Sequence, residues 1–457
     1  MHLRRWLFLL CILTAFNLKA ARPNVVFILT DDQGWNSLSV KMDPEIPGSG
    51  STWFQTPHTS KLAMEGIRFS MAYSPAPTCG PTRTSLQYGM SPTAVGKFAE
   101  KLPTNLPPAA DAMISRLKKA FPKYKAAHFG KWHQRTRKPE DIGYDVSNGQ
   151  TMNGEGNSKD PKDPKLLFSM AKDAVGFMEK QVKAGHPFFM QVSFYANHLK
   201  YQALPETLKK YEDLKDKATE YQNNALWAAM NEDMDTAVGQ ILNKIEELGI
   251  KGNTYVIYTT DNGYELKRDL SKAVEERKFY KAYPLRSHKY MISEGGLRVP
   301  FIIRGPGIPA GVSSREPVVG WDILPTVLDM AGASAEIPSA VEGGSLLPHC
   351  KSGGKTKVKR KDPFFVFRYT KTRGALDITI VQGGFKFLRE IKTGKEHLWN
   401  LWEDLGEEKN LLSSMPEKAT ELRKNMESYF KRYGWDEKQH INEKRPVRKK
   451  KKSKNEN

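Results

Sequence analysis

The stretch RPNVVFILTDDQGW (residues 22–35) decides the fold expected for this chain. Its apolar run from Val25 to Leu29 is continuous rather than alternating, which indicates a strand buried on both faces. Asp31 and Asp32 stand where the run ends. Such a strand is typical of a parallel sheet, in which functional groups collect at the carboxyl ends of the strands.

Three more apolar runs repeat this pattern and alternate with helical segments. The runs are HPFFMQVSFYANH (186–198), NTYVIYTTDNG (253–263) and RVPFIIRGPG (298–307). Residues 57–69 predict a short helix followed by the start of a strand, and further helices are predicted at 111–121, 165–184 and 221–248. This order predicts an α/β fold, with a large mixed, mainly parallel sheet sandwiched by helices.

The character of the sequence changes after about residue 350. Strand-like runs separated by glycine occupy residues 364–391, and a helix is predicted over 415–433. These elements indicate a smaller C-terminal α+β domain, made of an antiparallel sheet and one helix. We therefore predict a large domain over 22–350, a C-terminal subdomain over 351–440 and a basic disordered tail over 441–457.

The first 20 residues, MHLRRWLFLLCILTAFNLKA, predict a secretory signal peptide. Arg4 and Arg5 precede an apolar run that is too short to span a bilayer comfortably. An uncleaved anchor is the alternative. We expect an exported protein, periplasmic or secreted, with no transmembrane segment once the signal is cleaved.

The formal net charge of the chain is +20. Much of the excess lies in two basic runs, KSGGKTKVKRK (351–361) and EKRPVRKKKKSK (443–454). Such runs are usually solvated, but they also attract polyanions, such as a sulfated glycan or an anionic surface. Export argues against nucleic acid, so no nucleic-acid partner is expected.

Four oxygen-bearing side chains follow two of the predicted strands: Asp31, Asp32, Asp261 and Asn262. Oxygen ligands suit a hard divalent cation, Ca²⁺ with Mg²⁺ as the alternative, better than zinc. Adjacent carboxylates repel each other unless a cation lies between them. The other interpretation is that these residues cap turns, as Asp and Asn often do.

Cys79 lies in the stretch PAPTCGPTRTS (75–85), ahead of a helix predicted near 82–90. Signal cleavage removes Cys11 and leaves Cys79 and Cys350, and composition neither supports nor excludes a disulfide between them. A helix N-terminus with Arg83 one turn on favours an anion. A soft thiolate is a poor ligand for a hard cation, so an oxygen nucleophile suits this position better than a thiol.

The segment CGPTR (79–83) resembles the C-x-P-x-R motif of the sulfatase family, the formylglycine-dependent branch of the alkaline phosphatase superfamily. Other segments resemble the family in the same order along residues 22–435. They are RPNVVFILTDDQGW, GKWH (130–133), TDNG (260–263), EGGLRVPFI (294–302) and NLWEDLGEEKNL (400–411). The resemblance implies an alkaline phosphatase-like fold, with the catalytic machinery in the large domain.

The resemblance also implies a mechanism. A maturation enzyme oxidises Cys79 to formylglycine, whose hydrate attacks the sulfur of a sulfate ester and is a Ca²⁺ ligand. The implied Ca²⁺ ligands are the converted Cys79 with Asp31, Asp32, Asp261 and Asn262. The other implied roles are orientation of the hydrate by Arg83, sulfate binding by Lys131, His133 and Lys289, and protonation of the leaving alcohol by His198.

These features predict an exported sulfatase, a sulfuric ester hydrolase whose substrate is a sulfated carbohydrate. One alternative is a phosphodiester or phosphonate monoester hydrolase of the same superfamily. The other is an inactive protein that binds sulfated glycans through its basic runs. Candidates for lining a sugar pocket, unless they pack in the core, are Trp53, Tyr195, Lys200 and Tyr201.

Overall fold

The computed structural model describes residues 22–96, 105–265, 283–370 and 376–435. The predicted signal peptide and basic tail lie outside these ranges. The strands within them are β1 (Asn24–Thr30), β2 (Ile67–Phe69), β3 (Ala72–Tyr73), β4 (Lys125–Gly130), β5 (Val146–Ser147), β6 (Phe188–Ser193), β7 (Thr254–Thr260), β8 (Phe301–Arg304), β9 (Val312–Ser314), β10 (Val318–Val319), β11 (Phe365–Thr370), β12 (Leu376–Gln382), β13 (Phe385–Glu390) and β14 (Glu396–Asn400).

The α-helices cover most of the segments predicted to be helical. They are α1 (Pro57–Met64), α2 (Cys79–Tyr88), α3 (Met113–Ala120), α4 (Leu167–Lys183), α5 (Pro205–Asp213), α6 (Ala225–Glu247), α7 (Glu294–Leu297), α8 (Ile323–Met330), α9 (Leu347–Lys351) and α10 (Pro416–Arg432). No helix in the described ranges is long and apolar enough to cross a membrane.

The main sheet has eight strands in the order β5-β4-β6-β1-β7-β8-β2-β9. Its pairs are parallel except those made by β8, which runs antiparallel to both β7 and β2. The predicted mixed, mainly parallel sheet is therefore confirmed. Strand β1 lies at its centre, between β6 and β7, and is buried along its whole length.

The continuous apolar run of β1 serves two hydrophobic cores, one on each face of the sheet. Val26 and Ile28 belong to the core that contains α4 and α6 residues. Val25, Phe27 and Leu29 belong to the opposite core, with α3 and α8. Because successive side chains of a strand point to opposite faces, a strand covered by helices on both sides must be apolar at every position.

The C-terminal sheet has the antiparallel order β11-β12-β13-β14, and α10 packs on one face of it. This arrangement confirms the predicted α+β appendage. Its other face joins the large domain in a third core, where Phe365, Phe367 and Trp399 contact a cluster that includes Tyr73 and Trp321. The two sheets therefore share buried apolar surface.

Candidate functional site

The acids predicted at strand ends lie side by side at one edge of the main sheet. Strands β1 and β7 pair in register from Asn24 with Thr254 to Thr30 with Thr260, so the residues that follow are neighbours. The backbone N–H of Asp32 donates to Asp261 Oδ1 at 3.2 Å. Asn262 Nδ2 donates to Asp32 Oδ1 at 2.6 Å.

Helix α2 brings Cys79 and Arg83 to these acids. Cys79 is the first residue of the helix, and Arg83 lies one turn later. Arg83 Nε donates to Asp261 Oδ2 at 2.8 Å, and Nη2 lies 2.8 Å from the same oxygen as an ion-pair contact. The Cys79 sulfur and one oxygen from each of Asp31, Asp32 and Asp261 lie within 4.8 Å of one another, and all four residues are buried. We call this group the acid–cysteine cluster.

Two buried lysines complete the surroundings of the acid–cysteine cluster. Lys131, on the loop after β4, bonds Asp31 Oδ2. Lys289 Nζ lies 2.8 Å from Asp32 and 3.0 Å from Glu265 Oε2. Together with Arg83, the site thus holds three buried cations and four buried carboxylates, those of the three acids in the cluster and of Glu265. Such an arrangement is suited to an anionic ligand in a low-dielectric site.

The pKa values of the acids reflect burial and crowding. Burial raises the pKa of Asp32 and Asp261 to about 6, and the neighbouring Asp31 acts in the same direction. Burial also acts to raise the pKa of Asp31, but the positive charge of Lys131 and of other nearby groups outweighs it and holds that pKa well below its usual range. A divalent cation among these carboxylates would stabilise their ionised forms.

The donor set fits a hard cation. Asp31 Oδ1 and Asn262 Oδ1 are buried, and within the described part of the chain neither accepts a hydrogen bond. Buried oxygens without donors are costly unless something else satisfies them. Carboxylate and amide oxygens are the ligands that Ca²⁺ and Mg²⁺ prefer. The residues present therefore fit the predicted cation.

The two predicted histidines lie beside this cluster. His198 Nε2 is 4.0 Å from Asp32 Oδ2 and 3.8 Å from Glu265 Oε2. Burial, with Lys131 next, lowers the pKa of His198 to about 4. His133 is buried after β4, and burial followed by Lys131 lowers its pKa to about 2. Both imidazoles are neutral at pH 7 in this state.

The sequence interpretation missed two buried charged residues at the site. Glu265 accepts hydrogen bonds from Lys289 at 3.0 Å and from the Tyr290 hydroxyl at 3.2 Å. Lys165 is fully buried, and burial lowers its pKa to about 8, with the charge of Asp31 acting against that shift. Neither residue lies in a recognisable motif. Their only sequence signal is a charge beside a predicted strand or helix end.

Two interpretations left open by the sequence are decided by packing. Cys350 is a buried free thiol in α9, so no disulfide joins it to Cys79.

Trp53 packs edge-on against Tyr211 with ring centroids 5.4 Å apart and is 2% exposed. Tyr195 is also 2% exposed. These two aromatics therefore belong to the core and do not line an open sugar pocket.

Comparison with known families assigns the chain. The profile described as Sulfatase matches residues 23–333. The chain belongs to the sulfatase family. A second profile, N-sulphoglucosamine sulphohydrolase, C-terminal, matches residues 286–436 and covers the C-terminal sheet. The match confirms the predicted family and the enzyme class of sulfuric ester hydrolases.

This sulfatase is similar along much of its length to curated enzymes. It is 28% identical to an ulvan-active sulfatase of Formosa agariphila over 71% of this chain and 64% of that one, so it spans slightly less than two thirds of that relative. It is 27% identical to the N-acetylgalactosamine-6-sulfatase of Mus musculus, over 87% of this chain and 77% of that enzyme.

Solved structures confirm the fold of the sulfatase. A crystal structure of Ps i-CgsB in complex with k-i-k-neocarrahexaose superposes with a TM-score of 0.73 at 24% identity and covers 89% of this chain and 92% of that one. A structure of BT4656 in complex with its substrate D-glucosamine-2-N,6-O-disulfate gives 0.70 at 20% identity, covering 90% and 98%. At these identities the likeness concerns architecture.

Proposed function

We propose that this protein is an exported sulfatase that hydrolyses sulfate esters on a sulfated carbohydrate. The observation that carries the proposal is the acid–cysteine cluster, in which the Cys79 sulfur and three carboxylates lie within 4.8 Å of one another beside buried cations. The curated relatives named above, an ulvan-active sulfatase and an N-acetylgalactosamine-6-sulfatase, support a carbohydrate substrate.

The proposed nucleophile is made from Cys79 by a maturation enzyme. Converted to formylglycine, this position supplies a hydrated aldehyde oxygen as nucleophile, and Ca²⁺ supplies positive charge beside it. Asp31, Asp32, Asp261 and Asn262 would hold the cation. Arg83 holds the Asp261 carboxylate through one hydrogen bond and an ion pair, and it keeps the start of α2 beside the acids.

The cations of the site bind and orient the sulfate in this proposal. Lys131 and Lys289 would surround the reacting group together with the neutral His133, and the fixed positive charge of the two lysines stabilises negative charge better than water does. His198 would donate a proton to the leaving alcohol. Its pKa of about 4 belongs to the site without substrate. A sulfate ester beside it raises the pKa of the imidazole, so His198 takes up its proton as substrate binds.

The test of the nucleophile is the mass of the tryptic peptide Phe69–Arg83 from protein made in its natural host. Loss of H₂S and gain of one oxygen atom at Cys79 is the expected result. Sulfate release from an aryl sulfate should disappear in Cys79→Ala, and chelation of calcium should lower it reversibly. An unmodified Cys79 together with full activity in Cys79→Ala would contradict the proposal.

A matched comparison of substrates separates the alternatives. A sulfatase releases sulfate from an aryl sulfate faster than phosphate from the aryl phosphate or phosphonate ester. The reverse ranking would favour the phosphodiester or phosphonate monoester hydrolase. Binding of a sulfated glycan without any turnover, with Cys79 unmodified, would favour the inactive binding protein.

A further inference from the structure

A groove lies beside the edge strand of the main sheet, where the large domain meets the C-terminal sheet. Its volume is about 470 Å³, and it is lined by residues 313–316, residues 354–357 and Trp402. We call it the Trp402 groove. The first segment ends β9, the second follows α9, and Trp402 follows β14. None of these residues belongs to the acid–cysteine cluster.

Trp402 is the one tryptophan of the described residues that is exposed, with 47% of its surface accessible. Its indole packs against the backbone at Gly384, where a Cβ atom would come within 1.7 Å of the indole nitrogen. The Arg315 guanidinium lies 5.9 Å from the ring centroid. A half-exposed indole that is anchored by its neighbours offers an apolar platform to the C–H face of a sugar ring.

Cations line the rest of the Trp402 groove. Arg315 is paired with two carboxylates, Asp43 at 2.9 Å and Glu45 at 2.7 Å. Lys357 pairs with Glu316 at 2.9 Å. Lys355 is exposed, and within the described residues it forms no ion pair. With Asp43 and Glu45 counted, these charges balance, and among the described residues Lys355 is the lining cation left without a carboxylate partner, so it remains available to an anionic ligand.

The basic run 351–361 adds further positive charge beside the groove. Lys359 and Lys361 are exposed, and neither forms an ion pair in the described part of the chain. Arg360 differs from these lysines, because its guanidinium pairs with the buried Asp322 carboxylate at 2.6 Å. The lysines of the run thus remain available to an anion, and the catalytic site makes no use of them.

The carboxyl end of β9, which lines the Trp402 groove, lies at the same edge of the sheet as the acid–cysteine cluster. Strand β9 runs parallel to β2, and β2 and β7 both run antiparallel to β8, so β9 and β7 point the same way. The carboxyl end of β9 is Ser314, which aligns with Phe69. Three spacings between neighbouring strands separate β9 from β7, or about 14 Å. A separation of this size is short compared with an extended polysaccharide.

We propose that the Trp402 groove is a second binding site for a sulfated polysaccharide, which holds a segment of the chain several units from the ester being cleaved. The proposal rests on the proposed function for its substrate class. Stacking on Trp402 and ion pairing with Lys355 and its neighbours supply the recognition. Such a site raises affinity for polymers without acting on small esters.

The experiment uses the full chain and native gels that contain dextran sulfate or neutral dextran. The groove variants are Trp402→Ala and the double variant Lys355→Ala/Lys359→Ala. The control is Lys180→Ala/Lys183→Ala, which removes the same charge from exposed positions on α4. Each protein is also assayed on an aryl sulfate, which is too small to reach the groove and the catalytic site together.

Both groove variants should raise the Kd for dextran sulfate by at least about fivefold, while the control and all aryl sulfate rates stay unchanged. Neutral dextran should retard none of the proteins. Equal retardation of wild type and both groove variants overturns the site. Retardation that depends on the lysines and not on Trp402 also overturns it as a sugar site, because only charge attraction then remains. Binding through the groove in a chain that releases no sulfate would contradict the proposed function alone.

Discussion

Lys165 and Lys386 are both fully buried, yet their surroundings differ. Lys386 Nζ lies 2.9 Å from Glu294 and 2.9 Å from Glu407. The Lys165 ammonium donates to the Asn157 amide oxygen at 3.5 Å, and burial lowers its pKa to about 8. A buried cation without a carboxylate partner costs stability. That cost is typical of residues kept for function, and the electrostatic interaction of Lys165 with Asp31 and Asp32 places it beside the proposed catalytic site.

Replacing each lysine by methionine should therefore have opposite effects. Lys165→Met should keep or raise the Tm while lowering kcat/KM on a sulfated sugar. Lys386→Met should lower the free energy of unfolding by about 3–5 kcal/mol, because it removes the buried cation between two buried carboxylates, which then keep only one arginine each. Thermal unfolding and steady-state kinetics measure both. Equal loss of stability in the two variants, with unchanged kinetics for Lys165→Met, would refute this distinction.

The lowered pKa of Lys165 predicts that the effect of Lys165→Met on the Tm depends on pH. The pKa of this lysine falls from 10.5 to about 8 in the folded protein, so the unfolded chain holds more protons between these values. The cost of burying Lys165 is thus absent above pH 10.5, grows as pH falls through this window and is complete below about 8. The Tm advantage of Lys165→Met over wild type should shrink between pH 8 and pH 10.5. A constant difference would contradict the shift.

Helix α2 determines where Cys79 and Arg83 lie relative to the acids. All of its residues are buried, and it ends at Gly89, whose φ is +63° and whose N–H donates to Ser85 O at 2.9 Å. A left-handed residue at this position favours glycine. A Cβ at Gly89 would also meet Leu324 and Val341 at 3.1 Å. The end of the helix is therefore fixed both by its backbone and by its neighbours.

Two glycine substitutions separate these effects. Gly185 follows α4 with φ +66°, and a Cβ there would meet nothing within 4 Å. Gly185→Ala should lower the free energy of unfolding by about 1 kcal/mol, which is the cost of placing a residue with a Cβ in the left-handed conformation. Gly89→Ala should cost about 1–3 kcal/mol more and lower kcat, because α2 must shift. Denaturant unfolding and aryl sulfate kinetics test this, and equal losses in both variants would contradict it.

At the scale of the whole molecule, one buried acid joins the C-terminal sheet to the proposed catalytic site. Glu407 accepts hydrogen bonds from Arg286 at 3.1 Å and from the Glu294 backbone at 2.9 Å, and it pairs with Lys386 at 2.9 Å. Arg286 and Glu294 flank the segment that carries Lys289. Together with the third core, these contacts link the two sheets through buried groups.

Removing the negative charge of Glu407 should therefore lower both the stability and the activity of the protein. Glu407→Gln should lower the free energy of unfolding by about 3–5 kcal/mol and reduce kcat, since Lys386 loses a partner and the Lys289 segment loses its anchor. Glu408→Gln, at an exposed neighbouring position, should change neither. Calorimetry of both variants measures the difference. Unfolding of the C-terminal sheet in a separate transition, with wild-type activity, would contradict the coupling.

The sequence by itself determined the central strands, most helices and the acids at the strand ends. A continuous apolar run indicates a strand buried on both faces, and apolar residues at helical spacing indicate a helix buried on one face. These elements can therefore be predicted from local sequence. The motifs around Cys79, Lys131 and Asp261 indicated the family, which the comparisons confirm.

Only the tertiary structure decided which distant residues meet. Lys289 reaches Asp32 across 257 positions, and Glu265 and Lys165 join the site without any motif. The antiparallel direction of β8, the placement of Trp402 beside β9 and the core shared by the two sheets also depend on long-range pairing. Local patterns carry no information on these contacts, because charge compensation and strand order are properties of the packed chain rather than of any one segment.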